Sequence, residues 1–275
     1  MRFLVAFLCI CIGLSAQAQI YSPMGARAEA IGQVSSPLID AWSTINNPAA
    51  LVFTEGNSLA LSYRNNYFSS ELGTAAFAFQ KTLKKGSIGI GYSRYGYQLY
   101  NENQLYIAYG IQLGENTSLG LSLTPHFIQF ANTPVNAYPD VSLGFLSKAS
   151  DKLSIGASLK NPFSQEIDGL SRSYTESLIQ FGANYELAKE IGLFSEIEKN
   201  FNYPVRVKLG GEYKLKEIAF IRAGVITAPV EVSYGLGVKL KDFSFDLGLR
   251  QNLRLGNSGQ LSIQYKFSKA KAKNE

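Results

Sequence analysis

From residue 57 to residue 267 the chain alternates apolar with small or polar residues almost without a break, and this period of two restricts its fold more than any other feature. A helix repeats every ~3.6 residues, so a two-residue period kept up in segment after segment means strands with one apolar and one polar face. In Gly73–Lys81 one face reads Ala75, Phe77, Phe79 and the other Thr74, Ala76, Ala78, Gln80. Ile88, Ile90 and Tyr92 alternate with Gly89, Gly91 and Ser93, and Leu105, Ile107, Tyr109 and Ile111 alternate with Tyr106, Ala108, Gly110 and Gln112. The pattern recurs to Leu261–Phe267 and gives about 14 strands, an even number, as in bacterial single-chain outer-membrane barrels. Pro125-His126-Phe127 and Gly210-Gly211 are places where a bulge is expected if the strand continues.

A soluble sandwich alternates too, so the choice between sandwich and barrel rests on two further features. The polar face is rich in Gly and Ser in the early strands and strongly charged in the later ones, where Glu196, Glu198, Arg206, Lys208, Glu212, Arg222, Glu231, Asp246 and Arg250 share it. Cations and carboxylates on adjacent strands can pair across a lumen, while the opposite face stays apolar or aromatic, as lipid requires. The connections also alternate in length. Tight turns such as Leu83–Gly86, Gly114–Asn116 and Lys241-Asp242 are separated by longer links at Asn65–Leu72, Gly96–Asn103, Ala131–Asp140, Pro162–Glu176, Asn200–Pro204 and Gln251–Gly259. Short turns on the periplasmic rim and longer loops outside are the outer-membrane arrangement. The expected fold is therefore all-β, a transmembrane antiparallel barrel of about 14 strands over residues 57–268, with both termini periplasmic in the outer membrane of a Gram-negative bacterium.

Residues 1–18 carry Arg2, the apolar run Phe3–Leu14 and then Ala16-Gln17-Ala18, the order of a secretory signal peptide. Both cysteines, Cys9 and Cys11, fall inside it, so neither a disulfide nor a thiol nucleophile is expected in the mature chain. No later stretch reaches the ~18 apolar residues of a spanning helix. The formal charge of +5 is spread over turns and a basic tail at residues 269–275, which argues against a nucleic-acid partner.

Residues 19–56 lack the alternation. Within them Gly25-Ala26-Arg27-Ala28, Gly32, Asp40, Asn47-Pro48-Ala49 and Leu51 form a spaced set. This set resembles the N-terminal signature of the FadL-type barrels, the long-chain fatty-acid transporters, and more closely that of their PorV/PorQ relatives linked to type IX protein secretion. The resemblance implies that residues 19–56 are a hatch entering the lumen, with Asn47-Pro48-Ala49 as the corner between hatch and first strand. Pro48 lacks an N–H and cannot extend a helix, and Asn47 can bond its own backbone in a turn, so the residues themselves agree. Arg27 is expected to pair with a lumen carboxylate or else to be solvated, and Asp40 to start a turn or hold the hatch.

With His126 as the only histidine, neither a His-based triad nor a multi-His metal site can be assembled, and no catalytic residue, metal or cofactor is expected. Among the aromatic residues of the longer-loop rim, Tyr95, Tyr97, Phe127 and Phe130 are candidates for an apolar entry; the alternative is an interfacial aromatic girdle. The family resemblance implies an accessory of type IX secretion or surface attachment, with secretion components or exported proteins as partners besides outer-membrane lipid. Passive transport of hydrophobic small molecules is the alternative, and a general porin the second.

Overall fold

The computed structural model describes residues 21–54, 56–163, 177–201 and 203–267. The signal peptide and the basic tail expected from the sequence lie outside these residues. The strands are β1 (Asn57–Asn65), β2 (Gly73–Leu83), β3 (Gly86–Gly96), β4 (Tyr100–Leu113), β5 (Thr117–Phe130), β6 (Asn136–Lys148) and β7 (Leu153–Lys160), then β8 (Leu178–Ala188), β9 (Ile191–Asn200), β10 (Arg206–Leu215), β11 (Ala219–Ile226), β12 (Glu231–Leu240), β13 (Phe243–Asn252) and β14 (Gly256–Phe267). Each pairs antiparallel with its sequence neighbours, and β14 returns to β1 to close a barrel. Closure leaves no unpaired sheet edge, which is the condition for a sheet to cross lipid.

Burial follows the alternation. Leu61, Ile107, Leu121, Phe181, Ile221 and Leu236 are exposed on the outside, while their chain neighbours Ala60, Ala108, Ser122, Gln180, Arg222 and Gly235 are buried on the inside. No helix among the described residues is long and apolar enough to cross a membrane.

The structure shortens three of the six longer links. β3 and β4 pair as far as Gly96 with Asn101, leaving only residues 97–99 between the strands. β5 and β6 pair as far as Ile128 with Asn136, and β13 meets β14 at Asn252 with Gly256. Near this rim both faces are polar or aromatic, so the side-chain pattern fades while the backbone ladder, which needs no particular side chains, runs on. The link between β1 and β2 keeps its length and folds into two short 3₁₀ turns at Asn66–Phe68 and Ser70–Leu72. Neither expected bulge forms. Pro125 only interrupts the β4–β5 pairing, having no N–H to offer, and the register shift in the barrel falls instead at Glu186 and Ala188 of β8.

Residues 21–54 run inside the barrel. Helix α1 (Ala26–Ala30) packs on β12 and β13, a turn at Gly32 and Gln33 redirects the chain, and helix α2 (Ser43–Asn46) packs on β2 to β4. Asn47 then leads into a 3₁₀ helix, Pro48–Phe53, against β4 to β6. The Asn47-Pro48 corner is as expected at its start, with Asn47 Oδ1 accepting from the Ala49 amide at 3.2 Å. It does not open directly into the first strand, however, because the 3₁₀ helix, buried from Pro48 to Leu51, comes between them. The described chain also begins inside the barrel, where the Tyr21 hydroxyl accepts from Lys160 Nζ at 2.6 Å near the end of β7. Only Asn57 and Phe267, the ends of the barrel itself, meet at the rim of tight turns.

Candidate functional site: the filled lumen

Two motif glycines are explained by backbone geometry. Gly25 has φ 101° and a Cβ there would meet the Trp42 ring, while Gly32 has φ 76° and a Cβ would meet the Leu209 carbonyl oxygen at 2.7 Å. A side chain at either position would be both strained and overlapping. Around the lumen, glycines of the wall receive the segment at backbone distance: a Cβ at Gly120 would fall on the Ala49 amide, at Gly156 on the Ser36 carbonyl, at Gly210 on the Ile31 carbonyl and at Gly224 on the Gly32 amide. The small-and-polar inner face read from the sequence is thus the set of positions where backbone meets backbone.

Charge does the rest, and on one half of the wall. Arg27 donates to both carboxylate oxygens of Glu212, at 2.9 and 2.8 Å, and also lies 5.6 Å from the centre of the Phe194 ring. Glu212 accepts as well from Arg222 at 2.5 Å, and Arg222 reaches Asp246 at 2.7 Å. Lys208 Nζ bonds Glu196 at 2.8 Å, Glu198 at 2.6 Å and the Gln33 carbonyl at 3.1 Å, and Arg206 pairs with Glu198 at 2.9 Å. Arg250 joins Glu231 on the wall to Glu29 of α1. The Ser35 and Ser36 amides donate to Glu196 at 3.0 and 2.8 Å. All nine wall residues expected to form a charged face are brought together, and Arg27 pairs rather than being solvated.

Within the segment the ionisation states follow from this setting. Burial alone would raise the Glu29 carboxyl, but Arg250 and Arg64 more than reverse it and hold it at about 2. Burial would likewise lower Arg27, and Glu212 instead raises it. Asp40 is pushed up by burial against the weaker pull of Arg27. Its Oδ1 accepts from the Trp42 amide at 2.9 Å, so it starts a turn, one of its two expected roles.

Glu29 and Arg64 were not singled out from the sequence. Arg64 Nη2 donates to the Pro23 carbonyl and its guanidinium to Gln260 Oε1, with Glu29 at 3.9 Å. The signal for Arg64 is the strand period, which places it on the same face as Ser58 and Ser62; Glu29 carries no periodic signal.

The aromatic candidates divide. Tyr95, Tyr100 and Phe130 form a run of rings, with centres 6.3 and 4.9 Å apart, beside the lumen at the rim of longer links. Phe127 is corrected: it stands on the outer face of β5, because His126 and Ile128 on either side of it are buried inside. Tyr97 sits half-buried in the short β3–β4 link, where its amide donates to the Tyr100 carbonyl at 2.7 Å.

A closed barrel of fourteen antiparallel strands with an apolar outer face and an N-terminal segment packed inside is the architecture of an outer-membrane barrel. Solved structures with this fold include the Pseudomonas putida toluene transporter TodX, at TM-score 0.69 and 13% identity over 90% of this chain and 98% of that one. The Ralstonia pickettii toluene transporter TbuX gives TM-score 0.69 at 11% identity over 90% of this chain and 99% of that one, and a Pseudomonas aeruginosa FadL homologue gives 0.68 at 12% over 88% and 98%. No family model matches the sequence, and no curated protein matches it.

Proposed function

We propose that this chain is an outer-membrane channel for hydrophobic small molecules, with its tight-turn rim toward the periplasm and residues 21–54 acting as a hatch. The observation that carries this reading is the placement of the Tyr95–Tyr100–Phe130 rings beside a lumen already filled by that segment. A filled lumen gives ions and sugars no wide water path, whereas an apolar compound leaving water for aromatic rings gains roughly 25 cal/mol per Å² of surface covered. The fold shared with toluene transporters supports the same class of cargo. Reconstituted in liposomes, the full-length protein is expected to speed the uptake of toluene or a long-chain fatty acid over protein-free vesicles and to stay nearly silent in planar-bilayer conductance. Large, steady conductance with no effect on uptake would overturn the reading in favour of a porin.

A role in type IX secretion rests on the spaced motif, and what favours it is that Gly25, Gly32, Asn47 and Pro48 all stand at turns of the interior segment. In a deletion strain, normal export and surface attachment would remove this second reading.

A further inference from the structure

Five buried carboxylates of the barrel wall, Glu196, Glu198, Glu212, Glu231 and Asp246, each have an Arg or Lys within 4.0 Å. Glu102 of β4 and Asp140 of β6 differ. Among the described residues their only basic neighbour within 4.0 Å is His126 of β5, with Nε2 at 3.2 Å from Glu102 and Nδ1 at 4.0 Å from Asp140. Two ionised carboxylates against one imidazole leave a net negative charge whether or not the ring is protonated. The charge is also incompletely bonded. Asp140 Oδ1 is buried with no hydrogen-bond partner, and so is the hydroxyl of Ser122, 3% exposed, one step further along the inner face of β5 beneath Thr124, the register partner of Asp140.

Aromatic rings frame this charge. The Tyr100 hydroxyl donates to Glu102 at 2.5 Å, Phe130 packs on Tyr100 at 4.9 Å, and the Tyr138 ring lies 4.6 Å from that of His126. Uncompensated carboxylates with tyrosine and phenylalanine faces beside them are the chemistry that holds an organic cation: the carboxylates attract the charge, and the ring faces take both the charge and the apolar body. Glu102 and Asp140 keep about a quarter of their side-chain surface exposed, so a ligand in the mouth of the barrel reaches them.

We propose that this patch at the longer-link end of the lumen binds an organic cation, an amine or quaternary ammonium carried on an aromatic or apolar body. The inference rests on the channel reading only in that the ligand enters from that mouth, and it narrows the cargo from hydrophobic small molecules of any charge to a cationic amphiphile. Binding can be tested without transport, so the two fail separately. Benzyltrimethylammonium and its uncharged isostere neopentylbenzene would be titrated into the full-length protein in detergent, followed by calorimetry. The cation is expected to bind at least tenfold more tightly, to weaken as salt rises, and to lose at least tenfold on Asp140→Asn or Glu102→Gln while neopentylbenzene is unaffected. Equal affinity for the two compounds, or a cation affinity untouched by both substitutions, would overturn the proposal. Should a variant fail to fold, the comparison of the two compounds on the unaltered protein still decides it. Toluene uptake with no preference for the cation would retain the channel and remove this site.

Discussion

The two halves of the lumen wall treat charge in opposite ways. On β9 to β13 every buried carboxylate meets a guanidinium or ammonium, and the interior segment joins the same network through Arg27, Glu29 and the Ser35 and Ser36 amides. On β4 to β6 the segment is received by Gly110, Gly120 and Gly144, and the two carboxylates nearer the rim share one histidine. A buried charge without a partner is costly, so the first half has the look of structure and the second of a surface left open for something else.

Lys208 should show the largest effect. It is fully buried and bonds two glutamates and a backbone carbonyl. Lys208→Met strands both carboxylates, and removing one partner of a buried pair costs about 3–5 kcal/mol. Urea unfolding in lipid should show that loss, and Lys208→Met combined with Glu196→Gln and Glu198→Gln should recover a good part of it. No recovery in the triple variant would mean that Lys208 acts through packing.

Acid should loosen the segment next. The folded Glu29 carboxyl is held at about 2, below its ordinary value of 4.5. A depressed carboxylate contributes stability that is complete above about 4.5 and lost as pH falls through about 2, a contribution on the order of a few kcal/mol. Trypsin cleavage after Arg27, which needs the segment out of the lumen, should therefore rise between pH 7 exposures and brief exposures near pH 2.5 followed by neutral digestion with refolding blocked by an added thiol trap at a Ser35→Cys site. In Glu29→Gln the neutral-pH rate should already be higher and the acid increment smaller. An unchanged acid increment would place the sensitivity on the wall carboxylates.

Much of this contrast was readable in advance, and the unreadable part has a physical cause. Strand period fixes which face a residue occupies, so the nine charged wall residues and the small inner face followed from alternation alone. Arg27 followed from a cation lying in a segment expected to meet acids. The cluster of Glu102, His126 and Asp140 did not, because its members come from three strands and meet only through the pairing of Gln104 with His126 and of Thr124 with Asp140. Register between strands depends on where each ladder starts, and near the rim the fading alternation hides those starts. The same fading made the links look longer than they are and drew Phe127 into the entry, where strict alternation would have turned it outward.

The glycine seats predict a smaller and more local effect. A Cβ at Gly120 falls on the backbone of the interior segment, whereas one at Gly211, on the outer face of β10, meets nothing within 4 Å. Gly120→Val should cost about 1–3 kcal/mol by overpacking and raise bilayer conductance as the segment shifts. Gly211→Val should do neither, and equal behaviour of the two variants would show that the segment does not bear on that wall.

The smallest effect expected is the most pointed. Asp246→Asn removes a charge from a saturated pair and leaves Arg222 with one carboxylate fewer, so it should destabilise. Asp140→Asn removes a carboxylate whose Oδ1 has no partner and whose nearest basic group is an imidazole at 4.0 Å, and replaces it with a group that is cheaper to bury. Its unfolding midpoint should be unchanged or slightly raised, within about 0.5 kcal/mol, the range of substitutions that break no structural contact. Stability gained where an acid is removed is the mark of a residue kept for binding rather than for folding. A loss at Asp140 as large as that at Asp246 would mean that the two halves of the wall are built on the same principle after all, and that the negative patch is held together by contacts as structural as those opposite.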